Sequence, residues 1–163
     1  MTPYAESSYF SPEDLALFEG VKKIFQAMPD VDLGKDEKGE QNLVSCHMVA
    51  RAIAKIFPEL KVVDGSFGAY GGYGHSWLKR GHRVIIDPYP WATVGGPIMV
   101  CADMISPWYC LYQEFCSCRA TEFKKKIENK EFRGHLRKVS AAVKKTAKEL
   151  GHLNLSTVDI KGG

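Results

Sequence analysis

A cysteine, a histidine and an aspartate follow one another along this chain of 163 residues at a spacing suited to nucleophilic catalysis. Cys46 comes directly after Ser45 at the predicted start of a helix. There, unpaired backbone N–H groups and the helix dipole favour the thiolate, which is the form of cysteine that attacks carbonyl groups. His75 begins a predicted strand 29 residues later, and Asp87 ends the next predicted strand 12 residues after His75. This order predicts a thiol nucleophile with a histidine partner and an orienting acid.

The two predicted strands form a hairpin, and its register decides whether His75 and Asp87 can meet. A hairpin centred on Gly81 would place His75 directly opposite Asp87, with Cβ atoms about 5 Å apart on one face of the sheet. A carboxylate there fixes the histidine tautomer and stabilises the imidazolium, which leaves the other ring nitrogen for a thiol. Each residue also has a structural interpretation: Cys46 falls on an apolar helix stripe, His75 alone would be a satisfied structural histidine, and Asp before Pro88 is a common turn former. The three residues together favour catalysis.

Short motifs around these residues resemble one known enzyme family. The chain has a cysteine at a helix start, then a strand beginning His75-Ser76-Trp77, then a strand ending Ile86-Asp87-Pro88. This order is similar to the transglutaminase-like branch of the papain-like cysteine enzymes, which has a cysteine on a helix, a His-x-Trp strand and a strand ending in Asp-Pro. The resemblance covers residues 41–91, about a third of the chain. It implies a papain-like fold and thiol-dependent acyl transfer on a peptide or side-chain amide.

The resemblance also implies a role for each residue: Cys46 is the nucleophile, His75 the base and Asp87 the orienting acid. The chain departs from the family beside its cysteine, where Ser45 and His47 stand in place of the Gly or Trp that the family often has. Ser45 and His47 therefore do not identify a subfamily, and the subfamily is what would specify the substrate. Peptide or isopeptide hydrolysis, glutamine deamidation and transamidation therefore all stay open, and no metal or organic cofactor is required for any of them.

An acyl-transfer site also needs donors for the oxyanion and contacts for the substrate. The backbone N–H of Cys46 is one donor, and Gln41 resembles the glutamine that papain-like enzymes place shortly before the nucleophile. Asn42 is a second candidate, and solvated loop amides are the structural alternative for both residues. The glycine-rich segment 64–74 is predicted to be a flap, for which a plain surface loop is the alternative. Four aromatic residues are predicted to contact the substrate: Tyr70, Tyr73, Trp77 and Trp91. Core packing is the alternative for Trp77.

The remaining pattern predicts an α+β fold in a single domain, residues 1–163. The length suits one domain, and helical segments at both ends flank a cluster of strands. We expect residues 11–118 to form the catalytic core and residues 119–163 to form a basic helical extension packed on it. Helices are predicted over 11–28, 45–57 and 121–150, the last broken near Gly134. Strands are predicted over 60–63, 75–79, 83–87, 97–101 and 108–115, with a helix as the alternative for 108–115.

Charge is distributed unevenly along the chain and suggests a second class of function. Residues 1–118 carry 10 Lys and Arg against 14 Asp and Glu, whereas residues 119–163 carry 12 against 5. A basic segment can bind nucleic acid or an acidic protein, so a non-enzymatic binding module is the alternative to the enzyme. The structural alternative is a solvated helix face with an apolar stripe packed inward. For the enzyme, the expected partner is a protein or peptide substrate.

The other cysteines and the hydropathy pattern complete the expectations. Cys101, Cys110, Cys116 and Cys118 lack the paired spacing typical of structural zinc, and we expect them to be packing residues. No apolar run approaches the roughly 18 residues that span a bilayer, and the N-terminal residues do not resemble a secretory signal. We therefore expect a cytoplasmic protein with no membrane partner, although an effector exported by a dedicated machine would have the same composition. The sequence indicates no oligomeric state.

Overall fold

The computed structural model describes residues 10–68, 72–90, 96–102, 106 and 108–152. Five strands within them form one sheet, in which every pairing is antiparallel. The strands are β1 (Lys61–Phe67), β2 (Tyr73–Arg80), β3 (Val84–Asp87), β4 (Ile98–Cys101) and β5 (Tyr112–Glu114). Their order across the sheet is β4-β3-β2-β1-β5, and a short 3-10 helix, Tyr109–Leu111, leads into β5.

Four α-helices accompany the sheet in the described part of the chain. The first begins as its sequence predicts, because Ser11 caps it and exchanges two hydrogen bonds with Asp14. The mixture of helices with an antiparallel sheet confirms the α+β class. The helices are α1 (Pro12–Ala27), α2 (Cys46–Ala54), α3 (Ser117–Ile127) and α4 (Lys130–Glu149).

Apolar side chains bury the sheet on both faces. Successive residues of a strand point to opposite faces, so β2 presents Leu78 to the helices and Trp77 to the other side. On the helix side, residues of α1, α2 and α4 form one cluster with the sheet, and Val139 and Val143 of α4 are fully buried in it. The opposite cluster consists of Phe67, Trp77, Ile85, Ile98, Val100 and Tyr112.

The hairpin of β2 and β3 is displaced by two residues from its predicted register. Lys79 pairs with Ile85 and Arg80 with Val84, so the turn covers residues 81–83 and is not centred on Gly81. A shift of two residues keeps every side chain on its predicted face, because the side-chain period of a strand is two. His75 and Asp87 therefore share a face as expected, but they lie diagonally across the strands and not directly opposite each other.

Three further expectations need correction. β1 continues to Phe67, so the predicted flap begins later, and Gly65 lies in the strand where a Cβ would come within 2.2 Å of the Gln113 carbonyl oxygen. The C-terminal helices separate at 128–129, where the Asn129 side chain caps α4, and Gly134 lies inside that helix. Four cysteines were expected to be packing residues. Cys101 is buried, but Cys110, Cys116 and Cys118 are exposed.

Candidate active site

The first turn of α2 carries the cysteine at the predicted position. Ser45 is the N-cap, with an extended backbone, and its hydroxyl oxygen accepts a hydrogen bond from the Met48 backbone N–H at 3.4 Å. Cys46 is the first helical residue and is 4% exposed. Its thiol therefore lies among backbone N–H groups that have no partner within the helix, and these groups favour a negative charge.

A buried histidine and aspartate are held together on the strands beside this helix. The Nε2 atom of His75 lies 2.6 Å from Oδ2 of Asp87, and neither residue is exposed to solvent. Asp87 also accepts hydrogen bonds from the Tyr112 hydroxyl, at 2.8 Å, and from the Tyr89 backbone N–H, at 3.1 Å. Burial beside Asp87 raises the pKa of Tyr112, so its hydroxyl keeps the proton that it donates. These bonds fix the carboxylate and, through it, the imidazole ring.

The thiol and the buried imidazole favour their charged forms together. Burial would raise the pKa of the Cys46 thiol, but the contact with His47 and the positive charge of the nearby imidazoles, His75 included, outweigh it and lower the pKa to about 6. Burial would lower the pKa of His75, but the hydrogen bond with Asp87 and the negative charges of Asp87 and Cys46 raise it to about 10. At neutral pH the site therefore holds a thiolate and an imidazolium, which titrate as a coupled pair.

A groove of about 1270 Å³ opens beside the cysteine. Cys46 and His47 line it, whereas His75 does not, so the thiol stands between the groove and the buried histidine–aspartate pair. The Nδ1 atom of His75 is buried and has no hydrogen-bond partner among the described residues. Most of the walls are apolar, including Phe25, Met28, Val31, Leu43, Val44 and Tyr89. Concave sites with mostly apolar walls and a few polar groups are typical of ligand-binding sites.

The two predicted oxyanion donors both line this groove. The Gln41 side chain donates to Oδ1 of Asp32 at 3.0 Å, and the Asn42 side chain donates to the Leu33 carbonyl at 3.5 Å. Both amides are thus engaged within the loop that precedes α2. Their role toward an oxyanion stays a prediction.

The predicted aromatic contacts have different outcomes. Trp77 is fully buried, contacts His75 in a stacked arrangement with ring centroids 6.0 Å apart, and does not line the groove. Its assignment as a substrate contact is wrong, because its position on β2 directs it into the core. Tyr73 is 66% exposed at the start of β2 and is not among the described groove residues. Tyr70 and Trp91 lie outside the described residues.

Sequence reasoning missed two residues of this site. Tyr112 falls in a segment predicted only as an apolar strand, and its place beside Asp87 depends on the long-range pairing of β5 with β1. His47 is visible in the sequence only as the residue after the cysteine, and local pattern does not indicate its contact with the sulfur. Its Nδ1 atom lies 3.8 Å from the Cys46 sulfur.

The C-terminal helices α3 and α4 bury apolar side chains and expose basic ones. The apolar stripe of α4 packs inward as expected, and Lys124, Lys125 and Lys126 of α3 are exposed. Among the residues that the structure describes, no three His, Cys, Asp or Glu side chains are grouped so that they could hold a metal ion. No described helix combines the length and apolar character needed to cross a membrane.

Comparison of the chain with protein-family models, with curated proteins and with solved structures gave no match.

Proposed function

We propose that this chain catalyses thiol-dependent acyl transfer on a peptide or side-chain amide, with a papain-like, transglutaminase-like arrangement of Cys46, His75 and Asp87. The observation that carries the proposal is the buried pair of His75 and Asp87 beside a helix-start thiol whose pKa is lowered to about 6. A cysteine that only packs in the core would not need partners that stabilise its thiolate form. Strongly perturbed groups beside a groove are typical of active sites.

The proposed reaction has two halves. In the first, the Cys46 thiolate attacks the amide carbonyl carbon and forms a C–S bond, and the C–N bond then breaks. The amine leaves with a proton from the His75 imidazolium, and Asp87 keeps the neutral ring oriented. In the second, water or an amine attacks the thioester and gives a proton to His75, and the sulfur leaves as thiolate. Protons balance over the two halves.

The accessible surface of the site supports a protein or peptide as substrate. His75 is fully buried, so a substrate meets the thiol first and must place its leaving group on the side of the unpartnered Nδ1 atom. The backbone N–H of Cys46 at the start of α2 is the proposed oxyanion donor, with Gln41 or Asn42 as a second. The apolar groove walls would bind the residues that flank the scissile amide.

The thioester intermediate is the product to look for, because all three reactions form it. We would incubate the protein with a pool of glutamine-containing peptides, quench it in acid and examine the Cys46 peptide by mass spectrometry. Peptide cleavage, ammonia release and incorporation of a fluorescent primary amine would be measured in parallel. We expect an acyl adduct on Cys46 that is absent from Cys46→Ala. If wild-type protein shows neither an adduct nor any of the three products, the proposal fails.

A further inference from the structure

A polar network on the helix side of the sheet ends at the candidate nucleophile. Arg51 of α2 makes a two-point ion pair with Asp64 of β1, with N···O distances of 3.1 and 2.8 Å. Its Nε atom also contacts Glu128 at 2.9 Å, which ties in the end of α3. Arg51 is 8% exposed and Ser76 is 0% exposed, so the centre of the network is shielded from water. The triad does not use any of these residues.

Ser76 connects this network to His47. Its hydroxyl oxygen lies 2.5 Å from Oδ1 of Asp64, 3.2 Å from an Arg51 guanidinium nitrogen and 2.7 Å from Nδ1 of His47. Asp64 can only accept and Arg51 can only donate, so the single serine proton points to Asp64. The serine oxygen must then accept from His47. Nδ1 of His47 therefore carries a proton.

The same Nδ1 atom lies 3.8 Å from the Cys46 sulfur, so its single N–H can be bifurcated, with a short branch to Ser76 and a longer branch to the sulfur. The ring is half-buried, and it packs edge-on against Phe123 of α3 at a centroid distance of 5.4 Å. Its orientation is thus fixed by the serine on one side and the phenylalanine on the other. Both imidazoles lower the pKa of the thiol, and the hydrogen bond from His47 is the largest contribution that does so.

We propose that two imidazoles act on Cys46 in different ways. His75 transfers the proton, whereas His47, held in place by its hydrogen bond with Ser76, donates its Nδ1–H to the thiolate. This inference rests on the proposed function and assigns a second residue to the same reaction. His47 would stabilise the sulfur anion before attack and again when the thioester breaks down and thiolate leaves. The groups facing its ring are Cys46, Ser76 and Phe123, with Asp64, Arg51 and Glu128 behind the serine.

Two amide substitutions test the position of the donor. An Asn amide nitrogen is as many bonds from Cα as Nδ1 of histidine, whereas a Gln amide nitrogen corresponds to Nε2. His47→Asn can therefore keep the donor near the sulfur, and His47→Gln displaces it. Both lose the ring contact with Phe123, so a loss of packing alone would perturb His47→Asn as well as His47→Gln. His82→Gln, in the exposed turn between β2 and β3, is the control.

The readout is the rate of Cys46 alkylation by iodoacetamide as a function of pH, followed by peptide mass spectrometry. We expect His47→Gln to shift the profile upward by about one pH unit, a roughly fivefold slower reaction at about pH 6. His47→Asn and His82→Gln should stay close to wild type. If Asp87→Asn moves the profile and His47→Gln does not, the inference is overturned and the proposed function stands. If Cys46 is unreactive in wild type, the proposed function itself fails.

A measurement on unmodified protein covers the case in which a variant does not fold. Nitrogen-detected NMR of the histidine rings reports which nitrogen of His47 bears the proton at neutral pH. We expect protonated Nδ1, with a shift that changes as Cys46 ionises. Protonation at Nε2 alone, or a shift insensitive to Cys46 ionisation, would overturn the inference.

Discussion

Asp87 accepts three hydrogen bonds, and each donor comes from a different part of the chain. His75 belongs to β2, Tyr89 follows β3, and Tyr112 begins β5. A buried carboxylate is costly unless its oxygens are paired, so these donors are needed for the charge to be kept in the core at all. The charge in turn keeps the His75 imidazolium, which the proposed reaction uses as its proton donor.

Asp87→Asn tests the importance of that charge at nearly constant volume. Without the negative charge the imidazolium loses its main stabilisation, so the pKa of the Cys46 thiol should rise. We expect acyl-transfer activity to fall roughly a hundredfold or more, the range of a lost acid–base partner. Asp36→Asn, on the exposed loop before α2, is the control and should be unaffected. Wild-type activity in Asp87→Asn, measured at several pH values, would show that the aspartate is only structural.

The pH dependence of activity should have two limbs. As the pH falls below about 6, the Cys46 thiolate is protonated and the nucleophile is lost. As it rises above about 10, His75 loses the proton that the leaving amine requires. Initial rates across this range should therefore trace a broad bell whose limbs belong to the coupled pair. A rate that rises to a plateau and never declines at high pH would exclude His75 as the proton donor.

At the scale of elements, the start of α2 brings the thiol to the two imidazoles. Ser45 caps this helix, and the first turn presents Cys46 toward His75 and His47 toward Ser76. Adjacent residues of one helix thereby engage adjacent residues of one strand. Successive side chains of β2 point to opposite faces of the sheet, so His75 lies on one face and Ser76 on the other. Because His47 contacts Ser76, the two imidazoles are kept apart.

Removing the cap should affect both stability and the thiol. We expect Ser45→Ala to lower the free energy of unfolding by about 1 kcal/mol, as is usual for a lost N-cap, and to slow Cys46 alkylation at about pH 6. Ser11→Ala removes the cap of α1 and is the matched control, since it should lose stability without altering Cys46. Urea denaturation and alkylation rates measure the two effects. Equal alkylation rates in both variants would mean that the helix start does not tune the thiol.

Local patterns predict the positions of the candidate site residues better than the positions of the residues around them. The helix start at Cys46 and the shared face of His75 and Asp87 follow from local pattern and spacing, and both are found in the structure. The hairpin register was not, because residues 80–83 allow more than one turn and a shift of two preserves the faces. The contact of Tyr112 with Asp87 requires the pairing of β5 with β1, between segments about 45 residues apart, and local periodicity carries no information on it.

At the scale of the whole molecule, the C-terminal helix is part of the body that holds the site. Val139 and Val143 of α4 are buried in the same cluster as Val49 and Ile53 of α2, the helix that begins with the nucleophile. The lysines of α4 lie on its outer side. Loss of this packing would release α2 and hence the thiol, which makes residues 130–149 necessary for the site in spite of their distance from it in sequence.

Val143→Ala measures this dependence. Truncating a fully buried valine should reduce the free energy of unfolding by about 2 kcal/mol, through lost burial and a residual cavity. Lys144→Ala, at the next and exposed position, should change it by less than about 0.5 kcal/mol. Urea denaturation followed by circular dichroism gives both values. Equal stabilities of the two variants would mean that α4 is not packed against α2 in solution.

The reactivity of the five thiols at mildly acidic pH tests the proposed nucleophile most directly. Brief iodoacetamide labelling of the native protein at about pH 6, followed by peptide mass spectrometry, ranks the cysteines by their thiolate content. We expect Cys46 to be alkylated first although it is buried, ahead of the exposed Cys110, Cys116 and Cys118. Labelling of the exposed cysteines while Cys46 stays unmodified would contradict the assignment of Cys46 as an activated nucleophile.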